Sequence, residues 1–115
     1  MSKAIVSIYT FHLRPGSRVE DFIAASAAVQ KFLEQQEGFQ YRSLGRQLDN
    51  PSVWVDVVYW RDGAATQIAD SAFMENPACQ TYMNLLDEST VINRKCEVEL
   101  ASCSAGIPAG AASAA

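Results

Sequence analysis

The sequence predicts a single α+β domain with the element order β-α-β-β-α-β. Four segments are rich in β-branched and aromatic residues or alternate between polar and apolar positions, as strands do, and the segments between them repeat apolar residues at helical spacing. The chain has 115 residues, of which 49% are hydrophobic and 19% are charged. This length suits one core, and this composition is too apolar for intrinsic disorder.

The first strand and the first helix are separated by a clear turn signal. Residues 4–13, AIVSIYTFHL, read as a strand that ends at the sequence RPG. A helix then starts near Arg18, where Ser17 can cap it and Glu20 can bond back to the cap. Gly38 is a natural C-terminal stop for this helix.

The rest of the chain reads as a hairpin, a helical pair and a last strand. Residues 39–48 and 53–60 flank the turn sequence DNPS and predict two hairpin strands. Asp62 and Asn76 are residue types that cap helices, and a proline follows the asparagine at the first helical position. The elements predicted after the hairpin are a helix over 63–74, a second helix that starts at Pro77, and a strand over 92–100.

This order predicts a ferredoxin-like fold, in which two helices cover one face of a four-stranded antiparallel sheet. Both faces of its strands are apolar. On the strand over 53–60 one face carries Val53, Val55, Val57 and Tyr59, and the other carries Trp54, Val58 and Trp60. Because the helices can hide only one face, a second copy of the chain is the simplest cover for the other. We therefore predict a homodimer that packs sheet to sheet.

The charge balance argues against several partners. The chain has 9 Lys+Arg against 13 Asp+Glu, a formal net charge of −4, and it lacks the basic footprint that nucleic acids or anionic membranes require. Its apolar stretches are far shorter than the roughly 20 residues of a membrane span. The N terminus shows no signal-peptide core. We expect a cytoplasmic protein with no nucleic-acid or membrane partner.

The sequence carries no familiar metal or hydrolase motif. The cysteines Cys79, Cys96 and Cys103 form no CxxC pair, and only one histidine accompanies them. We therefore expect buried, unreactive thiols, no metal and no cofactor. GxSxG, HExxH and glycine-rich phosphate loops are absent from the sequence, which argues against hydrolase, zinc-protease and nucleotide-dependent mechanisms.

The composition also predicts a domain boundary near the C terminus. Residues 1–103 hold all the predicted elements. Residues 104–115, SAGIPAGAASAA, contain six alanines among twelve positions and nothing to bury, so they read as a tail.

The stretch VWVDVVYWRDGAA, followed by SAFM in the next helix, resembles the dimeric α+β barrel superfamily and, within it, antibiotic biosynthesis monooxygenase-like domains. The resemblance covers about residues 4–101. It implies a pocket between sheet and helices, which cofactor-free oxygenases of the family line with a tryptophan, here Trp60. Those oxygenases have an asparagine four residues earlier, where this chain has Asp56. They also use a tyrosine shortly after the tryptophan, at a place near Thr66.

The haem-degrading branch of this superfamily has a different signature. It requires an asparagine on the first strand and a histidine ten residues after the tryptophan, and this chain has Tyr9 and Asp70 at those places. The resemblance therefore argues against haem degradation. It implies a cofactor-independent monooxygenase that acts on a small aromatic or quinol-type compound.

Asp56 is the most informative polar residue, because it interrupts an apolar strand. One interpretation makes it a general base or a hydrogen-bond anchor that, together with Trp60, forms the catalytic pair. The other is a structural ion pair, since a buried carboxylate needs a partner. The candidate partners are the arginines Arg42, Arg46 and Arg61.

Four further residues are candidate substrate-binding groups: Tyr9, Phe73, Tyr82 and Met83. Their phenol groups could hydrogen-bond a ligand and their flexible or aromatic side chains could line an adaptable pocket, although each could equally be core. The leading hypothesis is an oxygenase. The alternative is a non-catalytic ligand-binding or regulatory homodimer that uses the same cavity.

Overall fold

The computed structural model describes residues 3–102 and has the α+β architecture predicted from the sequence. A short 3₁₀ turn at Glu88–Thr90 precedes the last strand. The elements are β1 (Ile5–Phe11), α1 (Val19–Glu34), β2 (Phe39–Arg46), β3 (Trp54–Trp60), α2 (Gly63–Glu75), α3 (Pro77–Asn84) and β4 (Ile92–Glu97). The tail predicted over 104–115 lies outside the described residues.

The four strands form one antiparallel sheet in the order β2-β3-β1-β4, the ferredoxin-like topology. The register between the central strands places Tyr9 opposite Asp56 and Ile5 opposite Trp60. Because strand residues alternate between faces, Tyr9, Asp56 and Trp60 all project toward the helices. The register of β1 and β3 therefore brings three of the predicted site residues to one face.

Two of the predicted helix starts are confirmed by their caps. The Asp62 carboxylate accepts a hydrogen bond from the Ala65 amide at 2.9 Å and begins α2. The Asn76 side chain accepts one from the Cys79 amide at 3.2 Å and begins α3, with Pro77 at its first position. These caps fix where the paired helices start above the sheet.

The capping box predicted for α1 is wrong. Arg18 occupies the N-cap position and makes no side-chain cap bond. The Ser17 hydroxyl instead donates to the Leu85 carbonyl oxygen at 3.0 Å, and the Glu20 carboxylate accepts from Arg18 at 2.8 Å. The last carbonyls of a helix lack intrahelical partners. The Ser17 hydroxyl therefore bonds a carbonyl at the end of α3 and does not cap α1.

Gly38 joins α1 to β2 in a conformation that requires glycine. Its φ is +88°, in the left-handed region that other residues rarely adopt. A Cβ at position 38 would lie 2.5 Å from the Ala65 Cβ. The close approach seats the start of α2 against this turn, where the Arg61 amide donates to the Gly38 carbonyl at 2.8 Å.

The core lies on the helix-facing side of the sheet and is rich in aromatic rings. Phe22 of α1 is fully buried, packs edge-on against Trp54 at 4.7 Å between ring centroids, and stacks on Tyr82 at 5.2 Å. The other face of the sheet also carries apolar side chains, as predicted, and no described helix covers it. Residues on that face that stay half-buried in the single chain include Val6, Ile8, Val55, Val57 and Tyr59.

The edge strand and the cysteines differ from prediction. All six residues of β4 are exposed, where a half-exposed strand over 92–100 was expected, because β4 is an edge strand that pairs with β1 alone among the described strands. Cys79 is buried, as predicted, and burial raises the pKa of its thiol to about 11. Cys96 on β4 is exposed, so the prediction of a buried thiol is wrong there; Cys103 lies outside the described residues.

No helix within residues 3–102 is long and apolar enough to cross a membrane.

Candidate functional site

A cavity of about 260 Å³ lies between the helix-facing side of the sheet and the three helices, and it is partly open to its surroundings. Its wall is mostly aliphatic and aromatic. All six residues predicted as site residues line it, namely Tyr9, Asp56, Trp60, Phe73, Tyr82 and Met83. The structure thus brings the predicted residues together around one space, and their roles there stay a prediction.

Asp56 is held by an arginine of the neighbouring strand. Its Oδ1 accepts from Arg42 Nε at 3.0 Å and its Oδ2 accepts from Arg42 Nη2 at 2.8 Å, a bidentate pair. The side chains of Asp56 and Arg42 are only 9% and 4% exposed. Of the three arginines considered from the sequence, Arg42 is therefore the partner.

The other two arginines are engaged elsewhere. Arg46 donates to the Pro51 carbonyl oxygen at 2.7 Å and lies over the Trp54 ring. Arg61 contacts carboxylates at the surface. Neither approaches Asp56.

The buried guanidinium of Arg42 links several layers of the fold. Its Nη1 donates to the Ser26 carbonyl oxygen of α1 at 3.0 Å, while its other nitrogens hold Asp56 on β3. Burial alone would lower the pKa of Arg42, but the hydrogen bond and the charge of Asp56 outweigh it and the net shift is upward. The guanidinium therefore stays charged inside the fold, and its bonds to Asp56 and Ser26 tie β2, β3 and α1 together.

The Tyr82 phenol completes this network. It is 4% exposed and donates its proton to Asp56 Oδ2 at 2.8 Å. Burial, reinforced by the negative charge of Asp56, raises the pKa of Tyr82 far above its ordinary value. Because its one proton is committed to Asp56, the Tyr82 oxygen can act toward a ligand only as an acceptor.

The Tyr9 phenol is placed differently. Burial, followed by the charges of Asp70 and Asp56, raises the pKa of Tyr9 to about 12. The phenol therefore keeps its proton, and within residues 3–102 it donates no hydrogen bond. The cavity thus combines a phenol that can donate to a ligand with one, Tyr82, that can accept.

The remaining predicted residues supply apolar walls. Trp60 is 4% exposed and packs edge-on against Phe39 at 5.9 Å, so it both closes the core and borders the cavity. Phe73 meets Phe32 edge-on at 6.0 Å, and Met83 is half-buried on α3. Flat aromatic walls beside a flexible thioether suit a planar apolar ligand.

Thr66 lies near the place at which the resemblance implies a tyrosine. Its hydroxyl donates to the Asp62 carbonyl oxygen at 3.0 Å inside the first turn of α2. Thr66 is not among the cavity-lining residues. The second aromatic hydroxyl of this cavity is instead that of Tyr82, which is on α3.

Sequence reasoning missed one polar residue of the cavity wall, Asp70. The signal lay in α2, where the buried residues Ala65, Thr66 and Ala69 define the packed face. Asp70 directly follows Ala69 and so lies at the margin of that face. The ammonium of Lys95, on β4, donates to Asp70 Oδ2.

No cluster of three potential metal ligands occurs among the residues that the structure describes. The groups that meet in the cavity are carboxylates, phenols and aromatic rings. They can orient a hydroxylated aromatic molecule by directional hydrogen bonds, and they can accept or donate protons.

These features define the class of the protein: a ferredoxin-like α+β domain with an aromatic cavity between sheet and helices. The sequence model of the antibiotic biosynthesis monooxygenase family matches residues 4–84. The chain belongs to the antibiotic biosynthesis monooxygenase family.

Solved structures share the fold. A mutant of SnoaB, a cofactor-independent oxygenase from Streptomyces nogalater, superposes with a TM-score of 0.71 at 19% identity, covering 87% of this chain and 97% of that one. A candidate antibiotic biosynthesis monooxygenase from Bordetella bronchiseptica gives a TM-score of 0.69 at 20% identity, with 85% and 99% covered. Another from Caulobacter crescentus CB15 gives 0.72 at 10% identity, with 84% and 91% covered.

No curated protein matches the chain. At identities of 20% or less, the similarity to the solved structures establishes the fold and leaves activity to be argued from the site.

Proposed function

We propose that the protein is a cofactor-independent monooxygenase that acts on a small aromatic or quinol-type compound in the cavity between sheet and helices. The observation that carries the proposal is the cavity, about 260 Å³ of mostly apolar space that two tyrosine and two aspartate side chains border. At about 30 Å³ per water molecule, its volume equals that of roughly nine waters. A ligand of one or two aromatic rings fits this scale.

The proposed roles follow from the contacts. Trp60 and Phe73 pack against the faces or edges of the ligand ring, and Met83 adjusts to its outline. Tyr9 donates to an acceptor on the ligand, and the Tyr82 oxygen accepts from a ligand hydroxyl. Asp56 acts as the hydrogen-bond anchor that orients Tyr82, because it accepts three hydrogen bonds from Arg42 and Tyr82.

The proposed chemistry needs only the ligand and dioxygen. When a phenolic hydroxyl loses its proton, the electron pair stays on oxygen and enriches the ring, which can then react with dioxygen without a metal or a flavin. One oxygen atom forms a bond to a ring carbon and the other leaves as water, and the ligand supplies the two electrons and two hydrogens for that water as it is oxidised to a quinone. The fold that the chain shares with SnoaB, described as a cofactor-independent oxygenase, supports this proposal.

Oxygen uptake with a panel of dihydroxyaromatics, including 1,4-dihydroxynaphthalene, tests the proposal. We expect wild type to exceed the buffer rate for at least one compound. Met83→Trp, which fills the cavity, should lower that excess, and Ile68→Ala, on the exposed side of α2 at 68% exposure, is the matched control. Equal rates with and without protein across the panel would contradict an oxygenase.

The alternative function is a non-catalytic binder that uses the same cavity. One observation favours it: Asp56 already accepts three hydrogen bonds from Arg42 and Tyr82, which makes it a poor general base. If the protein is a binder, an added naphthol should quench its tryptophan fluorescence, because Trp60 borders the cavity. No oxygen should be consumed. The two assays together separate the hypotheses.

We also propose that the protein is a homodimer packed through the uncovered face of its sheet. Val57 and Tyr59 lie on this face, on a central strand, and remain half-buried in the single chain. Exposed apolar surface of this kind favours association. Sedimentation equilibrium should show a dimer for wild type and a monomer for Val57→Arg. Ile23→Arg, at a 47% exposed site on α1, should stay dimeric, and a wild-type monomer would contradict the proposal.

A cytoplasmic location and the lack of nucleic-acid or membrane partners stay proposals as well. The lack of such partners rests on the net charge of −4. Fractionation of cells that produce the tagged chain tests the location, and a nucleic-acid filter assay tests the partner.

A further inference from the structure

A second carboxylate, that of Asp70, borders the same cavity. The pKa of Tyr9 is raised mainly by burial, then by the charge of Asp70, and then by the charge of Asp56. The carboxylate and the Tyr9 phenol both border this cavity. Asp70 plays no part in the network of Arg42 and Tyr82.

Asp70 and Asp56 differ in how much of their hydrogen-bonding capacity the protein uses. A carboxylate offers about four acceptor sites. Asp56 accepts three hydrogen bonds, whereas Asp70, within residues 3–102, accepts one, from Lys95 Nζ to Oδ2. The Asp70 side chain is 46% exposed and the Asp56 side chain 9%. Asp70 therefore keeps acceptor capacity that a ligand can reach.

Protonation has different consequences at the two sites. A proton on Asp56 would remove the counter-ion of Arg42, whose side chain is 4% exposed, and an uncompensated buried charge is strongly unfavourable. A proton on Asp70 would release Lys95, whose side chain is 38% exposed and can be solvated by water. Of the two carboxylates, Asp70 is the one that can take up a proton at little structural cost.

We propose that Asp70 is the carboxylate that binds the hydroxyl group of an aromatic ligand and accepts its proton, with Lys95 as its positioning residue. In the transfer the ligand O–H bond breaks, an O–H bond forms on Asp70, and the electron pair stays on the ligand oxygen. This inference rests on the proposed function, since it assigns the proton acceptor of the same cavity.

Lys95 is well placed for the positioning role. It lies opposite Ser7 in the register of β1 and β4, two residues along from Tyr9. This position puts its side chain on the helix-facing side of the sheet, where the ammonium reaches Asp70 on α2. The ion pair holds the carboxylate at the wall of the cavity.

A binding comparison tests recognition without requiring any reaction. The probes are 1-naphthol and 1-methoxynaphthalene, which share the ring system but differ in the O–H group. A hydrogen bond to a charged acceptor predicts that wild type binds the naphthol about tenfold more tightly or more. Asp70→Leu should abolish this preference. Glu75→Leu removes the same charge from the exposed end of α2 and should preserve it.

A preference that survives in Asp70→Leu, or that is lost only in Tyr82→Phe, would overturn the assignment. For Lys95, the methionine variant should weaken the preference and the arginine variant should restore it. Equal preferences in Lys95→Met and wild type would remove the positioning role. Failure of wild type to bind either naphthalene would overturn both this inference and the proposed function.

Oxygen uptake with 1,4-dihydroxynaphthalene separates the inference from the function on which it rests. If Asp70→Leu consumes oxygen at the wild-type rate, proton acceptance by Asp70 is overturned and the oxygenase proposal stands. If wild type shows the Asp70-dependent preference for naphthol but no oxygen uptake, the oxygenase proposal fails and hydroxyl recognition by Asp70 is supported.

Discussion

Replacing Arg42 by methionine should be among the most destabilising substitutions in the chain. Methionine keeps an apolar stem but leaves the Asp56 carboxylate, 9% exposed, without its cation. Breaking a buried ion pair by removing one partner typically costs about 3–5 kcal/mol. That is a large fraction of the roughly 5–15 kcal/mol by which domains are stable.

Removing both charges should be far less harmful than removing one. In Arg42→Met/Asp56→Leu no buried charge is left, and replacing a whole buried pair by apolar residues is often neutral or stabilising. The buried Tyr82 hydroxyl then loses its acceptor, which costs about 1–3 kcal/mol. Adding Tyr82→Phe should recover much of that loss.

Urea unfolding followed by tryptophan fluorescence measures these differences. Trp54 and Trp60 are both 4% exposed and report on the core. With an m-value of about 1–3 kcal/mol/M, the single variant should unfold at a midpoint at least about 1 M lower than wild type. The urea midpoints of the double and triple variants should lie between those of Arg42→Met and wild type. All chains are compared at one protein concentration, because association changes apparent stability.

Two results would refute this reasoning. If Arg42→Met loses less than about 1 kcal/mol, the buried carboxylate does not depend on its cation as the physics of desolvation requires. If the double variant is as unstable as the single one, the loss comes from packing of the arginine stem and the charge is not its cause.

Three further predictions concern single side chains. Because the pKa of Tyr9 is raised to about 12 from 10.0, the unfolded chain releases this proton first; the contribution of Tyr9 to stability, at most about 3 kcal/mol, should be lost between about pH 10 and 12, so stability should fall less steeply in Tyr9→Phe than in wild type in matched denaturation curves. Gly38→Ala should destabilise by about 1 kcal/mol or more, given φ of +88° and a Cβ clash, whereas Gly45→Ala, with open space around it, should be nearly neutral in thermal unfolding. Ser7→Ala should be neutral or stabilising in urea, since the Ser7 hydroxyl is buried without a hydrogen-bond partner; a loss above about 1 kcal/mol would count against this.

The fold was predictable because its strongest signals are local. Strand alternation, turn residues and the caps at Asp62 and Asn76 each act within a few residues. The prediction of a cap at Ser17 was wrong because of a tertiary contact: its hydroxyl bonds a carbonyl 68 residues away in the chain. Exposure of β4 likewise depends on which face the helices cover, a property that no local pattern contains.

Six residues that line the cavity could be predicted from the sequence, and their roles stay a prediction. The apolar strand around Asp56 identified the unusual carboxylate, and the register of β1 and β3 placed Tyr9 across from it. Which arginine would pair with Asp56 depended on the hairpin register, which sets Arg42 beside Val58. Asp70 was noted in the sequence only as the residue at the histidine position of the haem-degrading branch, because its place at the cavity wall depends on the strands beneath α2.

The two carboxylates of the cavity illustrate how environment divides roles between identical groups. Asp56 is buried, paired and bound by Tyr82, so any change in its charge disturbs β2, β3, α1 and α3 at once. Asp70 has one partner and is partly solvated, so its charge can change without disturbing the core. Where two titratable groups have environments this different, the rigid one suits orientation and the adaptable one suits proton transfer.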